Sequence, residues 1–223
     1  MRVLILRPRE QLKETLEKFK MEGFETYGCP FIEIEFLDFE VPEHDYAIVT
    51  SQNAAKAIVE RKIKLKNVIA IGEKTAKALN QKALIPKNFN SKSLVEEFKD
   101  VVKGKKVVAI RSDKGGDELR ELSKFCNFSE VVAYRTKKLN GDEQKRVVKL
   151  TEDCFFNVIV FSSKMIAESF LDLCDPEVLK KKIVVAIGEP TAQYLKNFSI
   201  EALKPKESTF ESVLDLLKSI KQV

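Results

Sequence analysis

Arg7 and Arg111 each close an aliphatic run, Val3-Leu4-Ile5-Leu6 and Val107-Val108-Ala109-Ile110. An arginine at a strand end can clamp a carboxylate through two parallel hydrogen bonds, or pair with an acid of its own domain. The loop Arg111-Ser112-Asp113-Lys114-Gly115-Gly116-Asp117 is the longer and more flexible of the two that follow, which makes Arg111 the better ligand contact. Small polar residues close the other runs: Thr50-Ser51-Gln52-Asn53, Ser162-Ser163, and the paired motifs Gly72-Glu73-Lys74-Thr75 and Gly188-Glu189-Pro190-Thr191. If a helix opens after each, its free N–H groups and dipole favour a carboxylate or phosphate. The same residue types also cap helices with no ligand present. Four such ends in two facing domains describe a cleft for an extended polyanion. Tyr134, in Val131-Val132-Ala133-Tyr134-Arg135-Thr136, either packs as a strand former or presents its phenol to that cleft.

Scarce residues exclude other chemistry. The single histidine, His44, in the turn-like Pro42-Glu43-His44-Asp45-Tyr46, leaves no His cluster for zinc, and it reads as a solvated loop residue. The four cysteines (Cys29, Cys126, Cys154, Cys174) form no C-x-x-C pair and read as reduced and partly buried. Neither G-x-G-x-x-G nor G-x-x-x-x-G-K-[ST] occurs, so nucleotide binding by those routes is excluded. No cofactor is expected. The net charge of +5 comes from 39 basic and 34 acidic residues that are interspersed, unlike the basic patch of a nucleic-acid binder. No apolar run reaches the roughly 18 to 20 residues of a membrane span, and the first eight residues do not read as a signal peptide. A cytoplasmic location is expected.

The elements that must position these residues are visible as short aliphatic runs: Val3–Leu6, Ala47–Val49, Val68–Ile71, Val107–Ile110, Val158–Phe161 and Ile183–Ile187. Continuous rather than alternating hydrophobicity marks parallel strands covered on both faces. Amphipathic stretches follow nearly every one (Gln11–Lys20, Asn53–Arg61, Thr75–Gln81, Asp117–Phe125, Met165–Leu173, Thr191–Asn197), giving a doubly wound α/β class.

The chain of 223 residues also repeats itself. Ile48–Ala54 aligns with Ile159–Met165, Ala70–Ala76 with Ala186–Ala192, Ser93–Lys99 with Ser212–Lys218, and Val3–Arg7 with Val107–Arg111. Two similar α/β domains follow. The repeat alone permits two arrangements: contiguous halves cut near residue 103, or an inserted domain in which the first strand joins the last part of the chain. The extended segments Phe31–Phe36 and Glu130–Thr136 lie at the crossings of the second arrangement.

Together these motifs, from Leu6-Arg7-Pro8 to Ile187-Gly188-Glu189-Pro190-Thr191-Ala192, resemble the uroporphyrinogen-III synthase family in order and spacing over nearly the whole chain. The resemblance implies two α/β domains joined by a two-strand linker: residues 1–36 with 135–223, and an inserted domain of residues 37–134. It implies a cofactor-free lyase of porphyrin (heme, tetrapyrrole) biosynthesis, cytoplasmic and monomeric. Such an enzyme closes linear hydroxymethylbilane to uroporphyrinogen III, inverting ring D through a spiro-pyrrolenine in the inter-domain cleft. Tyr134 matches the family's tyrosine proposed to supply or relay a proton. Arg7, Ser51, Gln52, Asn53, Thr75, Arg111, Ser162, Ser163 and Thr191 are the expected substrate contacts. A hydroxymethylbilane synthase that hands over its unstable product is the expected transient partner; nucleic acid and membrane are not expected. The competing reading is a non-catalytic cytosolic two-domain binding or regulatory protein for a small polyanion, which the same helix ends would serve.

Overall fold

A computed structural model of the chain describes residues 1–221. In chain order its first elements are β1 (Arg2–Leu6), α1 (Arg9–Met21), β2 (Glu25–Cys29), β3 (Ile32–Phe36), β4 (Tyr46–Val49), α2 (Gln52–Glu60), β5 (Val68–Ala70), α3 (Glu73–Leu79), β6 (Ala83–Leu84) and α4 (Ser91–Phe98). There follow β7 (Lys106–Ser112), a 3-10 helix (Glu118–Lys124), β8 (Asn127–Lys138), α5 (Asp142–Glu152), β9 (Val158–Phe161), α6 (Lys164–Leu171), α7 (Pro176–Leu179), β10 (Ile183–Ala186), α8 (Glu189–Lys196), β11 (Ala202–Leu203) and α9 (Phe210–Lys221). Among the described residues no helix is long and apolar enough to cross a membrane.

The chain divides into two compact units, one of Met1–Glu33 with the chain from Lys137 onward, the other Ile34–Thr136. The first unit holds a five-stranded sheet in the order β11-β10-β9-β1-β2, every pair parallel. The second holds β3-β8-β7-β4-β5-β6, in which the β4, β5, β6, β7 and β8 pairings are all parallel. With β3 set aside, the two orders are the same. The difference is where the chain enters: β1 pairs with β9, far along the chain, whereas β7 pairs with β4 of its own unit.

The aliphatic runs are continuous because each sheet buries both faces. In the first unit Leu4, Leu6, Ile159 and Phe161 join one core, while Val3, Ile5, Val158 and Val160 join the other. In the second, Ala47, Val49, Val108 and Ile110 face one core, and Ile48, Ile69, Val107 and Ala109 the opposite one. Truncating such a fully buried aliphatic residue to alanine costs about 2–5 kcal/mol.

Helix starts are set by short polar side chains. Ser51 Oγ accepts from the Ala54 amide at 3.1 Å, Asn90 Oδ1 from Ser93 at 2.9 Å and Ser163 Oγ from Ile166 at 3.3 Å. The stretch 117–125, expected as an α-helix, is instead a 3-10 turn over Glu118–Lys124, with Leu119 and Leu122 buried on its tight i,i+3 spacing.

Candidate functional site

In a doubly wound sheet the ligand crevice opens beyond the carboxyl ends of the strands where strand order reverses. In the first unit that point lies between β1 and β9. The register pairs Leu6 with Phe161, so Arg7 and Ser162 leave adjacent strands together. The Ser162 amide donates to the Leu6 carbonyl at 3.2 Å, and Ser163 is spent on the α6 cap. The Arg7 guanidinium donates through Nη1 to Thr15 Oγ1 and through Nη2 to Gln11 Oε1, and its centre lies 4.1 Å from the centroid of the Phe210 ring. Burial lowers the Arg7 pKa, opposed by Glu14 and Glu211, yet guanidinium remains charged at neutral pH.

Two polar atoms here lack a partner. Arg7 Nε and Ser162 Oγ are the buried side-chain nitrogen and oxygen atoms, among the described residues, that make no hydrogen bond. An unmade bond on a buried group costs about 1–3 kcal/mol, so a cationic donor and a hydroxyl left this way at a switch point form a place for an anionic oxygen. Thr191, 2% exposed, follows Gly188 at the start of α8, its amide donating to the Gly188 carbonyl at 3.1 Å.

The second unit has its equivalent point between β4 and β7, where Val49 pairs with Ile110. Here the polar groups are satisfied internally. The Thr50 hydroxyl donates to the Ile110 carbonyl at 3.5 Å. Arg111, 5% exposed, donates to the Glu130 carboxylate and to the Gly116 carbonyl. A Cβ on Gly115 would overlap the Arg111 guanidinium, so the glycine is what lets the loop close over it. The availability of the two arginines is therefore the reverse of the expectation from loop length: Arg111 is tied down, and Arg7 keeps a free donor. Gln52 is exposed and Asn53 half-buried in the first turn of α2, behind the Ser51 cap. Thr75 is 4% exposed after Gly72, in the place Thr191 occupies in the other unit.

Tyr134 follows a bulge. Arg111 faces Val132 but Ser112 faces Tyr134, so Ala133 is the extra residue. The Tyr134 ring is 8% exposed and belongs to the core that includes Val49, Ala54 and Ala133. Arg7, Ser162, Ser163 and Thr191 thus gather in the first unit, and Ser51, Gln52, Asn53, Thr75, Arg111 and Tyr134 in the second.

Three readings need correction. Aligning Ile48–Ala54 with Ile159–Met165 is slipped by one residue: Ser51 and Ser163 are the equivalent caps, so Thr50 corresponds to Ser162. His44 is not solvated. It is 8% exposed, with Nε2 accepting from the Lys66 amide at 3.1 Å and Nδ1 lying 2.8 Å from the Pro42 carbonyl. Because the Lys66 amide donates to Nε2, the ring proton sits on Nδ1, and the ring staples two turns. Third, Cys154 is exposed rather than partly buried. Cys29 and Cys174 are buried, which pushes both thiols up to about 12. Among the described residues, no three His, Cys, Asp or Glu side chains gather as a metal centre requires.

Sequence reasoning also missed a cavity of about 360 Å³ in the second unit, lined by Thr50, Ile71, Phe89 and Lys92 among others. Only the loop placement of Phe89, between Asn88 and Asn90, signalled it.

The chain matches the family model described as uroporphyrinogen-III synthase HemD over residues 12–215. It is 52% identical to a protein of Archaeoglobus fulgidus provisionally named a uroporphyrinogen-III synthase, over 99% of this chain and 100% of that one. A second protein so named, from Methanocaldococcus jannaschii, is 28% identical over all of both chains. Among solved structures, the uroporphyrinogen-III synthetase of Helicobacter pylori superposes with a TM-score of 0.71 over 99% of this chain and 100% of that one. At 21% identity that likeness speaks for the fold. A two-sheet α/β fold, a repeat of polar strand ends and a family match across most of the chain agree: the chain belongs to the uroporphyrinogen-III synthase family.

Proposed function

We propose that this protein cyclises linear hydroxymethylbilane to uroporphyrinogen III, inverting ring D. The observation that carries this reading is the unpartnered pair of Arg7 Nε and Ser162 Oγ at the switch point of the first sheet. The substrate's acetates and propionates are ionised near neutral pH. One of them, placed at this pair, would receive a charge-assisted bond from Arg7 and a hydroxyl bond from Ser162. Helix starts at Gln52–Asn53, Thr75 and Thr191 supply further donors for the other carboxylates. Arg111 acts by fixing the loop beyond β7.

The chemistry asks for a proton and for geometry. Loss of the terminal hydroxyl as water requires protonation of that oxygen, which the Tyr134 phenol supplies or relays; the pyrrole N–H proton returned to the phenolate then leaves a neutral azafulvene. Ring D then attacks through its substituted carbon to give the spiro-pyrrolenine, whose fragmentation and reclosure invert the ring. The free substrate closes to the type I isomer on its own, so the enzyme's contribution is to hold ring D for the spiro attack. The protein works as a cytoplasmic monomer without a cofactor, and receives its substrate from a hydroxymethylbilane synthase in transient contact.

The test is incubation with freshly prepared hydroxymethylbilane, with and without a chelator, and chromatographic separation of isomers I and III. The expected result is the III isomer under both conditions. Type I alone, in the proportion formed without protein, overturns the reading.

A further inference from the structure

We propose that the cavity beyond the carboxyl ends of β4 and β5 is a subsite for one pyrrole ring of the substrate, with Phe89 as its stacking platform. This inference rests on the tetrapyrrole reading above. Phe89 is 59% exposed, although a ring of that size normally contributes to a core. The ring is held in that position from two sides. Below it, a Cβ on Gly72 would come 3.2 Å from Phe89 Cγ, so the ring packs closely on the bare Gly72 backbone. Beside it, the loop is pinned: the Lys87 amide donates to both oxygens of Glu97 at 2.9 and 3.1 Å, and Ser93 Oγ donates to Glu97 at 2.6 Å. The Asn90 amide adds a bond to the Asn88 carbonyl at 2.8 Å. An exposed aromatic ring on a fixed loop presents a face rather than a mobile side chain.

The lining chemistry suits a substituted pyrrole. Phe89 and Ile71 offer apolar contact to a flat, electron-rich ring, and Glu118 offers an acceptor. A carboxylate acceptor disfavours a free anion but suits a pyrrole N–H. Lys92, on the same wall, supplies a cation for an acetate or propionate substituent. It stands in the first turn of α4, where the Asn90 cap is spent on Ser93, so the amides of Ser91 and Lys92 precede the capped one. Among the described residues, no aromatic ring stands at the equivalent glycine of the first unit. The side chains that approach Gly188 are Ser208, whose Oγ would lie 3.5 Å from an added Cβ, and Pro190, whose Cδ would lie 3.9 Å from it. The subsite belongs to one half of the repeat, as recognition of one ring of an asymmetric chain requires.

The experiment compares the parent with Phe89→Ala and Phe89→Tyr, reading KM for hydroxymethylbilane, Kd for uroporphyrinogen III and melting temperature. Loss of the platform is expected to raise KM and Kd by about 3- to 10-fold in Phe89→Ala. The melting temperature should stay near the parental value, and Phe89→Tyr should bind like the parent. Parental affinity in Phe89→Ala overturns the subsite, as does equal weakening in both variants. A parent that binds uroporphyrinogen III but forms no III isomer sinks the proposed reaction while leaving the subsite standing. A parent that does neither sinks both.

Discussion

Arg111 and Glu130 form an ion pair inside the second unit, their side chains 6% and 22% exposed, and the corresponding Arg7 meets neutral Thr15 and Gln11 instead. Glu130 also accepts from Arg120 Nε at 3.0 Å, so a single carboxylate bridges two guanidinium groups, of which Arg120 also pairs with Asp117 at 2.7 Å. Replacing Glu130 with Gln strands the buried Arg111 charge. A loss of about 2–4 kcal/mol is expected, toward the lower side because Glu130 is partly solvated. Urea denaturation of the full chain measures it. A change below about 0.5 kcal/mol, the scale of an exposed pair, would show that solvent already screens the interaction.

Arg7→Lys tests the other arginine. Lysine retains the charge but has no Nε–H between stem and fork, and it cannot reproduce the stacked guanidinium over Phe210. The affinity for uroporphyrinogen III is expected to fall about tenfold, the scale of one charge-assisted bond. The melting temperature should move little, since Thr15 Oγ1 still donates to the Gln11 carbonyl at 3.0 Å. Unchanged affinity would make Arg7 a packing residue on α1.

The contrast between these arginines was not legible in the sequence, because both end the same motif, Val-x-x-Ile/Leu-Arg. Their partners come from different following elements, Glu130 on β8 for Arg111 and Thr15 and Gln11 on α1 for Arg7, and the shared motif does not report which. The strands were legible wherever both faces are buried, as in Val158–Phe161, whose bounds match β9. By contrast β2, Glu-Thr-Tyr-Gly-Cys, runs at a sheet edge and carries no aliphatic run to announce it. The one-residue slip between Thr50 and Ser162 has a similar origin. A buried strand is aliphatic at every position, so only the capping serine fixes the alignment, and Ser162-Ser163 offers two candidates.

The division of the chain invites a folding test. Residues 34–136 contain β4, β5, β6, β7 and all but the last two residues of β8, each paired within that unit. Expressed alone, this segment is expected to melt cooperatively. Fragments cut near residue 103 separate β1 from β9 and β7 from β4, stripping each sheet of a central strand. They are expected to show no cooperative transition by circular dichroism. Cooperative melting of both halves, with the 34–136 fragment unfolded, would assign the folding units differently.

Stability at alkaline pH should report the buried thiols. Cys29 and Cys174 are pushed by burial to about 12 from an ordinary 9.0. Between those values the unfolded chain releases the protons while the folded chain keeps them. Stability present below about pH 9 is therefore lost as pH rises toward about 12. Cys29→Ala with Cys174→Ala should be less stable than the parent at pH 8 but lose stability less steeply between pH 9 and 11. Parallel stability curves for parent and variant would show that the thiols do not contribute.

Tyr134 decides whether proton supply or geometry dominates the proposed reaction. Its ring lies in the core and the bulge at Ala133 sets its direction, both of which phenylalanine preserves. Tyr134→Phe should therefore melt within about 2 °C of the parent, a shift worth about 0.5–1 kcal/mol in a chain of this size. It should also bind uroporphyrinogen III as the parent does. The rate of III-isomer formation is expected to fall by about 10²-fold or less, the lower end of general acid assistance, because water can replace part of a phenol's role. Thr75→Val is the contrasting variant: Thr75 is 4% exposed beside the α3 start, so its loss should appear in binding or melting rather than in turnover alone. The isomer ratio separates the remaining cases. A slow variant that still forms only type III has lost the proton donor but kept ring D in place. A slow variant that releases type I has lost the geometry as well. A Tyr134→Phe protein that turns over at the parental rate would leave the phenol without a catalytic role, and positioning alone would have to account for the ring inversion.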